Sequence, residues 1–210
     1  MVQFYDVSMP IDEKMAVYKN REENRPRLEI KRDFNAGARE TSLTLYMHAG
    51  THVDAPFHFL PEGDRIHTLP VEEVIRPCRV LDMTSAAEKI VPADLQGKDI
   101  RAGEFVLFKT KNSYVDEFDP KYVFLDTAAA EYLVAQGVRG VGIDAFSIER
   151  DQPKHPTHRL LLREKIVIIE GLRLAEVSEG EYLLIALPLA IVGAEASPSR
   201  VVLVKGSLEP

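Results

Sequence analysis

Short alternating or apolar runs, each closed by turn residues, recur along this chain, and helical periodicity is scarce. "RLEIKRDF" (27–34) alternates as a half-buried strand should, and "ETSLTLYMHAG" (40–50) puts Leu43, Leu45 and Met47 on one face. "VQFYDVS", "CRVLDM", "EFVLFKT", "VRGVGIDA", "KIVIIEG", "EYLLIALP" and "RVVLVKG" extend the series of strands. Helix is clearest over 125–137, where Asp126 or Thr127 caps, a run of alanines favours the helix and Gly137 ends it. "PADLQG" and "PTHRLLL" read as shorter helical segments. Many strands with few helices predict an α/β domain built on a mixed sheet or barrel, rather than a regular Rossmann alternation. No long Gly, Ser or Pro linker divides the chain, so residues 1–210 read as one domain.

Gly137, Gly140 and Gly142 do not form a dinucleotide fingerprint. The first closes a helix and the others enter a strand, whereas phosphate binding needs them after a strand and before a helix. A net charge of −7 excludes nucleic acid as a main partner, because phosphate binding needs a basic surface. No apolar run reaches membrane-spanning length, "YLLIALPLAIVG" being short and broken by Pro188. The N-terminus does not read as a signal peptide. Cys78 is the only cysteine; it rules out an internal disulfide, fits a reducing cytoplasm and reads as a core thiol.

The chemistry concentrates in "HAGTHVDAPFH", where His48, His52, Asp54 and His58 fall within eleven residues of a chain with six histidines. A helix is disfavoured by Gly50, Thr51, Val53 and Pro56. In an extended chain His48, Gly50, His52 and Asp54 share one face, with glycine leaving space between imidazoles, and Ala49, Thr51 and Val53 face the other way into packing. Pro56 ends regular pairing and swings His58 over the site. Two imidazoles and a carboxylate suit zinc, manganese or iron. Asp54 is placed to bridge two ions, and His58 to shuttle a proton. A hydrogen-bonded polar turn and a structural zinc site are the rival readings; structural zinc, however, usually takes four ligands, mostly cysteine. Glu170 ends a buried apolar strand, where a carboxylate needs a cation or several donors. His158 caps a helix, lies at the surface or ligates. His155 is either its neighbour near the metal or a surface residue, and His67 has no evident partner. Asp144 and Glu149 follow a strand; Asp144 either orients a ligand histidine or hydrogen-bonds a turn.

The motif resembles the HxGTHxDxPxH signature of the cyclase family, which includes bacterial kynurenine formamidases and isatin hydrolases. The likeness extends to "YDVSMPI", "PCRVLDM", "GVRGVGIDAFSIE", "HPTHRLLL" and "IVIIEGLRL". It implies a metal-dependent amidohydrolase on a swivelling β/α, barrel-like fold. It implies one or two divalent ions per subunit, zinc before manganese. His48, His52 and Asp54 match ligands of a first ion, while the bridging Asp54 joins His158 and Glu170 at a second; His58 matches the general acid/base. It further implies a small-molecule substrate, N-formylkynurenine or a cyclic amide or lactone, and assembly as a homodimer or homotetramer. The chain departs from the family where a "VYPGD"-like turn would stand. Here "AVYKNREENRP" puts Lys19 and Asn20 in place of Pro and Gly. Tyr18 and Lys19 are therefore substrate-contact candidates, with a packed aromatic the alternative for Tyr18. A metal-binding protein without turnover is the rival class, and a retained His58 speaks against it.

Overall fold

Alternation decides which way each strand faces, and here it supplies two apolar cores. The computed structural model describes residues 1–206. Its strands are β1 (Gln3–Asp6), β2 (Arg27–Arg32), β3 (Glu40–Thr44), β4 (His52–Asp54), β5 (Ile75–Asp82), β6 (Lys89–Ile90), β7 (Phe105–Lys109), β8 (Phe124–Leu125), β9 (Gly140–Ile143), β10 (Val167–Glu170), β11 (Gly180–Pro188) and β12 (Ala196–Lys205). The helices are α1 (Pro92–Leu95), α2 (Thr127–Gln136) and α3 (Pro156–Arg163). From β12 the pairing runs through β11, β5, β7, β9 and β10 to β4, which returns to β12. Seven strands thus close into a barrel, which removes exposed edges, and β1 lies along β12 as an eighth. β5, β7, β9 and β10 run parallel. The remaining barrel pairings are antiparallel.

Phe105 and Leu107 point into the barrel with Val53, Val80, Ile169, Leu184 and Leu203. Val106, Phe108, Val141, Ile143 and Ile168 point out and are covered by Ala129, Leu133 and Leu161 of α2 and α3. The glycines of β9 face the crowded interior. A Cβ on Gly140 would lie 2.0 Å from the Phe105 ring, and one on Gly142 2.6 Å from Leu107. Gly140→Ala is therefore expected to lower stability by about 1–3 kcal/mol through overpacking, read as a lower denaturant midpoint at unchanged slope. Cys78 lies in the barrel core, where burial pushes its thiol well above the ordinary range, so it stays protonated.

β2 and β3 differ from the sequence expectation. They pair only with each other and expose every residue, including Leu28, Ile30 and Leu43. Strand β3 stops at Thr44, so Leu45 and Met47 do not continue its face. Alternation marks two unlike faces; it does not say that this chain covers one of them. No helix among the described residues is long and apolar enough to cross a membrane.

Candidate metal centre and active site

Glu170 ends β10 directly opposite His52 of the antiparallel β4. Val53 and Ile169 point into the barrel, so His52, Asp54 and Glu170 project together from its outer face. All three are buried. His52 Nε2 lies 3.3 Å from Glu170 Oε2 and 3.5 Å from Asp54 Oδ1. Its other nitrogen, Nδ1, donates to the Gly50 carbonyl at 2.9 Å.

Helix α3 brings His158 over this pair of strands. Pro156 starts the helix after His155, which takes a left-handed φ of 51°. His158 Nδ1 donates to Glu149 Oε2 at 2.8 Å, and the same oxygen accepts the His158 backbone N–H at 2.7 Å. Its Nε2 then faces Glu170 Oε1 at 3.1 Å and Asp54 Oδ2 at 3.8 Å. His48 enters from a turn, with Nδ1 3.1 Å from Asp54 Oδ1 and Nε2 3.4 Å from Glu195 Oε1. Pro56 opens a 3-10 turn after β4 that lifts His58 above the cluster. The His58 ring centre lies 4.2 Å from that of His48 and 5.9 Å from that of His158.

The donor set fits a divalent cation. Both oxygens of Asp54 and the Nε2 of His52 are buried without a hydrogen-bond partner. Such orphaned acceptors beside a second buried carboxylate, Glu170, are costly unless a cation joins them. Ligand atoms of His48, Asp54 and His58, and of His52, Asp54 and Glu170, form groups lying within 4.8 Å of one another. Hard carboxylates with imidazoles suit zinc or manganese alike.

Next to the cluster is a cleft of about 220 Å³, lined by Tyr18, Arg21, Tyr46, His58, Phe59 and Phe146 among others. Tyr18 stands edge-on to Phe118, their ring centres 5.4 Å apart, so it is both packed and part of the cleft wall. Lys19 instead pairs with Asp151 at 2.8 Å and does not line the cleft; its neighbour Arg21 does. Lys19 and Asn20 both adopt left-handed backbone, with φ of 56° and 51°, in the turn before Arg21.

One other expectation changes. Gly50 leaves no gap between imidazoles. It takes a φ of +69°, and a Cβ there would lie 2.7 Å from Ile11 in the packing beneath. Of the two roles open to Asp144 it takes the second: it is turned away from the histidines and accepts hydrogen bonds from Thr110, Asn112 and Ser113, anchoring a loop. Glu149, five residues further on, is the carboxylate that orients His158. His155 is half exposed, 3.5 Å from Glu149 Oε1, beside the cluster rather than in it. His67 Nδ1 accepts from the Gly193 N–H at 3.3 Å, far from the chemistry in role. Thr51 is buried as expected, donating to Gly171 O at 2.6 Å and accepting from Met9 N–H at 2.7 Å. Glu195 carried no sequence signal beyond being a carboxylate just before a strand.

Without an ion, protons hold the cluster's charges in balance. Burial disfavours charge on His48 and His158, yet the adjoining carboxylates outweigh it and push both up to about 10. Burial, helped by the neighbouring histidines, pulls His58 down to about 4. Burial opposes the charge of Glu170 as well, but His158 and His52 hold it at about 2. The folded chelated protein therefore binds more protons than the unfolded chain between about pH 6.5 and 10, and stability is lost as pH rises through that window. Below about 6.5, uptake by His58 in the unfolded chain lowers stability in turn, down to about pH 4. Chelated protein is expected to melt highest near pH 6, and added zinc to flatten the alkaline fall by replacing those protons. Melting curves across the range check both; a melting temperature rising from pH 7 to 10 in chelator would contradict them.

The model of the Cyclase family matches residues 5–150. A kynurenine formamidase of Maricaulis maris is 39% identical over 163 residues, 77% of this chain and 78% of that protein. The solved structure of a potential metal-dependent hydrolase with cyclase activity superposes with a TM-score of 0.92 at 42% identity, covering 99% of this chain and all of the other. An isatin hydrolase bound to thioisatinate shares the fold, with a TM-score of 0.87 at 20% identity over 98% of this chain and 93% of that one.

Proposed function

This chain belongs to the Cyclase family, and from that premise we propose that it hydrolyses the carbon–nitrogen bond of a small N-formyl arylamine such as N-formylkynurenine. The observation that carries the reading is the set of buried, unpartnered acceptors on Asp54 and His52, grouped with Glu170 beneath a cleft whose wall includes Glu170, His48, His158 and the half-buried His58. His48, His52 and Asp54 would hold one ion, and Asp54, His158 and Glu170 a second; zinc comes first and manganese second. A bound divalent ion supplies Lewis acidity and lowers the pKa of water, to about 7 at a good zinc site.

The chain's own residues do the rest. Phe59, Tyr18 and Phe146 offer aromatic surface for an aryl group in a protein without tryptophan. Arg21, which makes no ion pair among the described residues, gives the cleft a cation for an anionic tail. His58, neutral at pH 7, accepts the proton of the attacking water and passes it to the departing nitrogen. Assembly as a homodimer or homotetramer belongs to the same reading, supported by the exposed Leu28, Ile30 and Leu43 of β2 and β3. So does a cytoplasmic location, supported by the single buried thiol.

The test is formate release from N-formylkynurenine by zinc- or manganese-loaded protein, with isatin as the competing substrate. Rapid turnover of the formamide supports the reading. Turnover of isatin alone would make the protein a cyclic amidase, and turnover of neither would leave the metal-binding protein without catalysis as the better account.

A further inference from the structure

Two imidazoles of the cluster each have one nitrogen hydrogen-bonded to an acceptor outside it, and a third has a carboxylate close to its outer nitrogen. For His52 the acceptor is the Gly50 carbonyl, and for His158 the Glu149 carboxylate. The third case involves Glu195. Glu195 lies just before β12, whose Ala196 pairs with Asp54 across the seam that closes the barrel. Its own carbonyl accepts the Ala55 N–H at 2.9 Å, fixing the backbone beside the metal ligands. The side chain reaches back to His48, with Oε1 3.4 Å from Nε2, while Nδ1 faces Asp54 at 3.1 Å.

A ligand imidazole must be neutral, with one N–H and one lone pair. If the N–H sat on Nδ1, the lone pair of Nε2 would face the Glu195 carboxylate, setting acceptor against acceptor. With the N–H on Nε2, Glu195 accepts it and the Nδ1 lone pair faces the cluster. We infer that Glu195 is a positioning residue for His48: it fixes the tautomer and, through its charge, makes Nδ1 a stronger donor to a divalent cation. This rests on the reading that the cluster binds such an ion. Unlike Glu149, which is buried, the Glu195 side chain is 36% exposed, so solvent reaches this support of the site and not the other.

The test is calorimetric titration of zinc into chelated wild type, Glu195→Gln and Glu195→Ala, with melting curves of each chelated protein as the control for folding. Glu195→Ala is expected to weaken the affected zinc site about 10–100-fold. Glu195→Gln, which still accepts a hydrogen bond but lacks the charge, should fall between it and wild type. In zinc-loaded wild type, imidazole nitrogen chemical shifts should place the His48 proton on Nε2. Unchanged zinc affinity in Glu195→Ala overturns the inference while leaving the metal reading intact. The same holds for a proton on Nδ1, or for weakened binding matched by an equal destabilisation of the chelated variant. A wild-type chain that binds no divalent ion overturns both.

Discussion

Asp54→Asn is expected to weaken divalent-ion binding by at least about 10³-fold, equivalent to ~4 kcal/mol, and to take hydrolysis down to background. Asp54 stands between His48, His52 and His158, its oxygens 3.1, 3.5 and 3.8 Å from their ring nitrogens. Asparagine keeps the shape, removes the charge and turns an amide donor toward nitrogens that need to give lone pairs. The fold should survive, because the two apolar cores hold the barrel without the cluster. Metal analysis after dialysis checks the outcome, with circular dichroism as the control. Stoichiometric metal in the variant would show that Asp54 is not a ligand.

The second large effect lies at His58, where substitution should separate chemistry from metal binding. His58→Ala is expected to lower kcat by about 10²–10⁴-fold with metal content unchanged. The ring lies over the cluster but is carried on the turn opened by Pro56, outside the β4 row that presents His52 and Asp54. Its depressed pKa, about 4, leaves it a free base at neutral pH, ready to take a proton and return it. Steady-state kinetics together with metal analysis give the answer. Loss of the metal along with the rate would move His58 into the ligand set.

What the sequence made legible follows the period of the strands. His52 and Asp54 sit two residues apart on β4, so local patterning placed both on one face; Glu170 ends an apolar run and read as a buried carboxylate in need of a cation, while only the family resemblance implied that the three meet. Strand after strand with one clear helix made a mixed sheet or barrel legible for the same reason, while its closure depends on the long-range pairing of β4 with β12. The extended row, however, did not reach back to His48, because Gly50 turns the chain through a left-handed residue whose neighbours, Ile11 and Met15, lie far away in sequence. Asp144 and Glu149 illustrate the same limit. Both follow β9, and only the packing of α3 decides which carboxylate meets His158. Glu195 was hidden because its partner arrives through the closure of the barrel, across 147 residues of chain (195 − 48). The exposed β2–β3 hairpin looked half-buried because alternation is blind to whether a covering layer exists.

The most direct measurement is a titration of zinc into the chelated protein, with N-formylkynurenine hydrolysis and circular dichroism followed on the same sample. The expected result is a chelated protein that is folded and inactive, with activity returning in step with one or two ions bound per chain. Full activity in the chelated, metal-free protein would contradict a metal-dependent mechanism. An unfolded chelated protein that refolds as zinc is added would contradict the catalytic reading in favour of a structural metal.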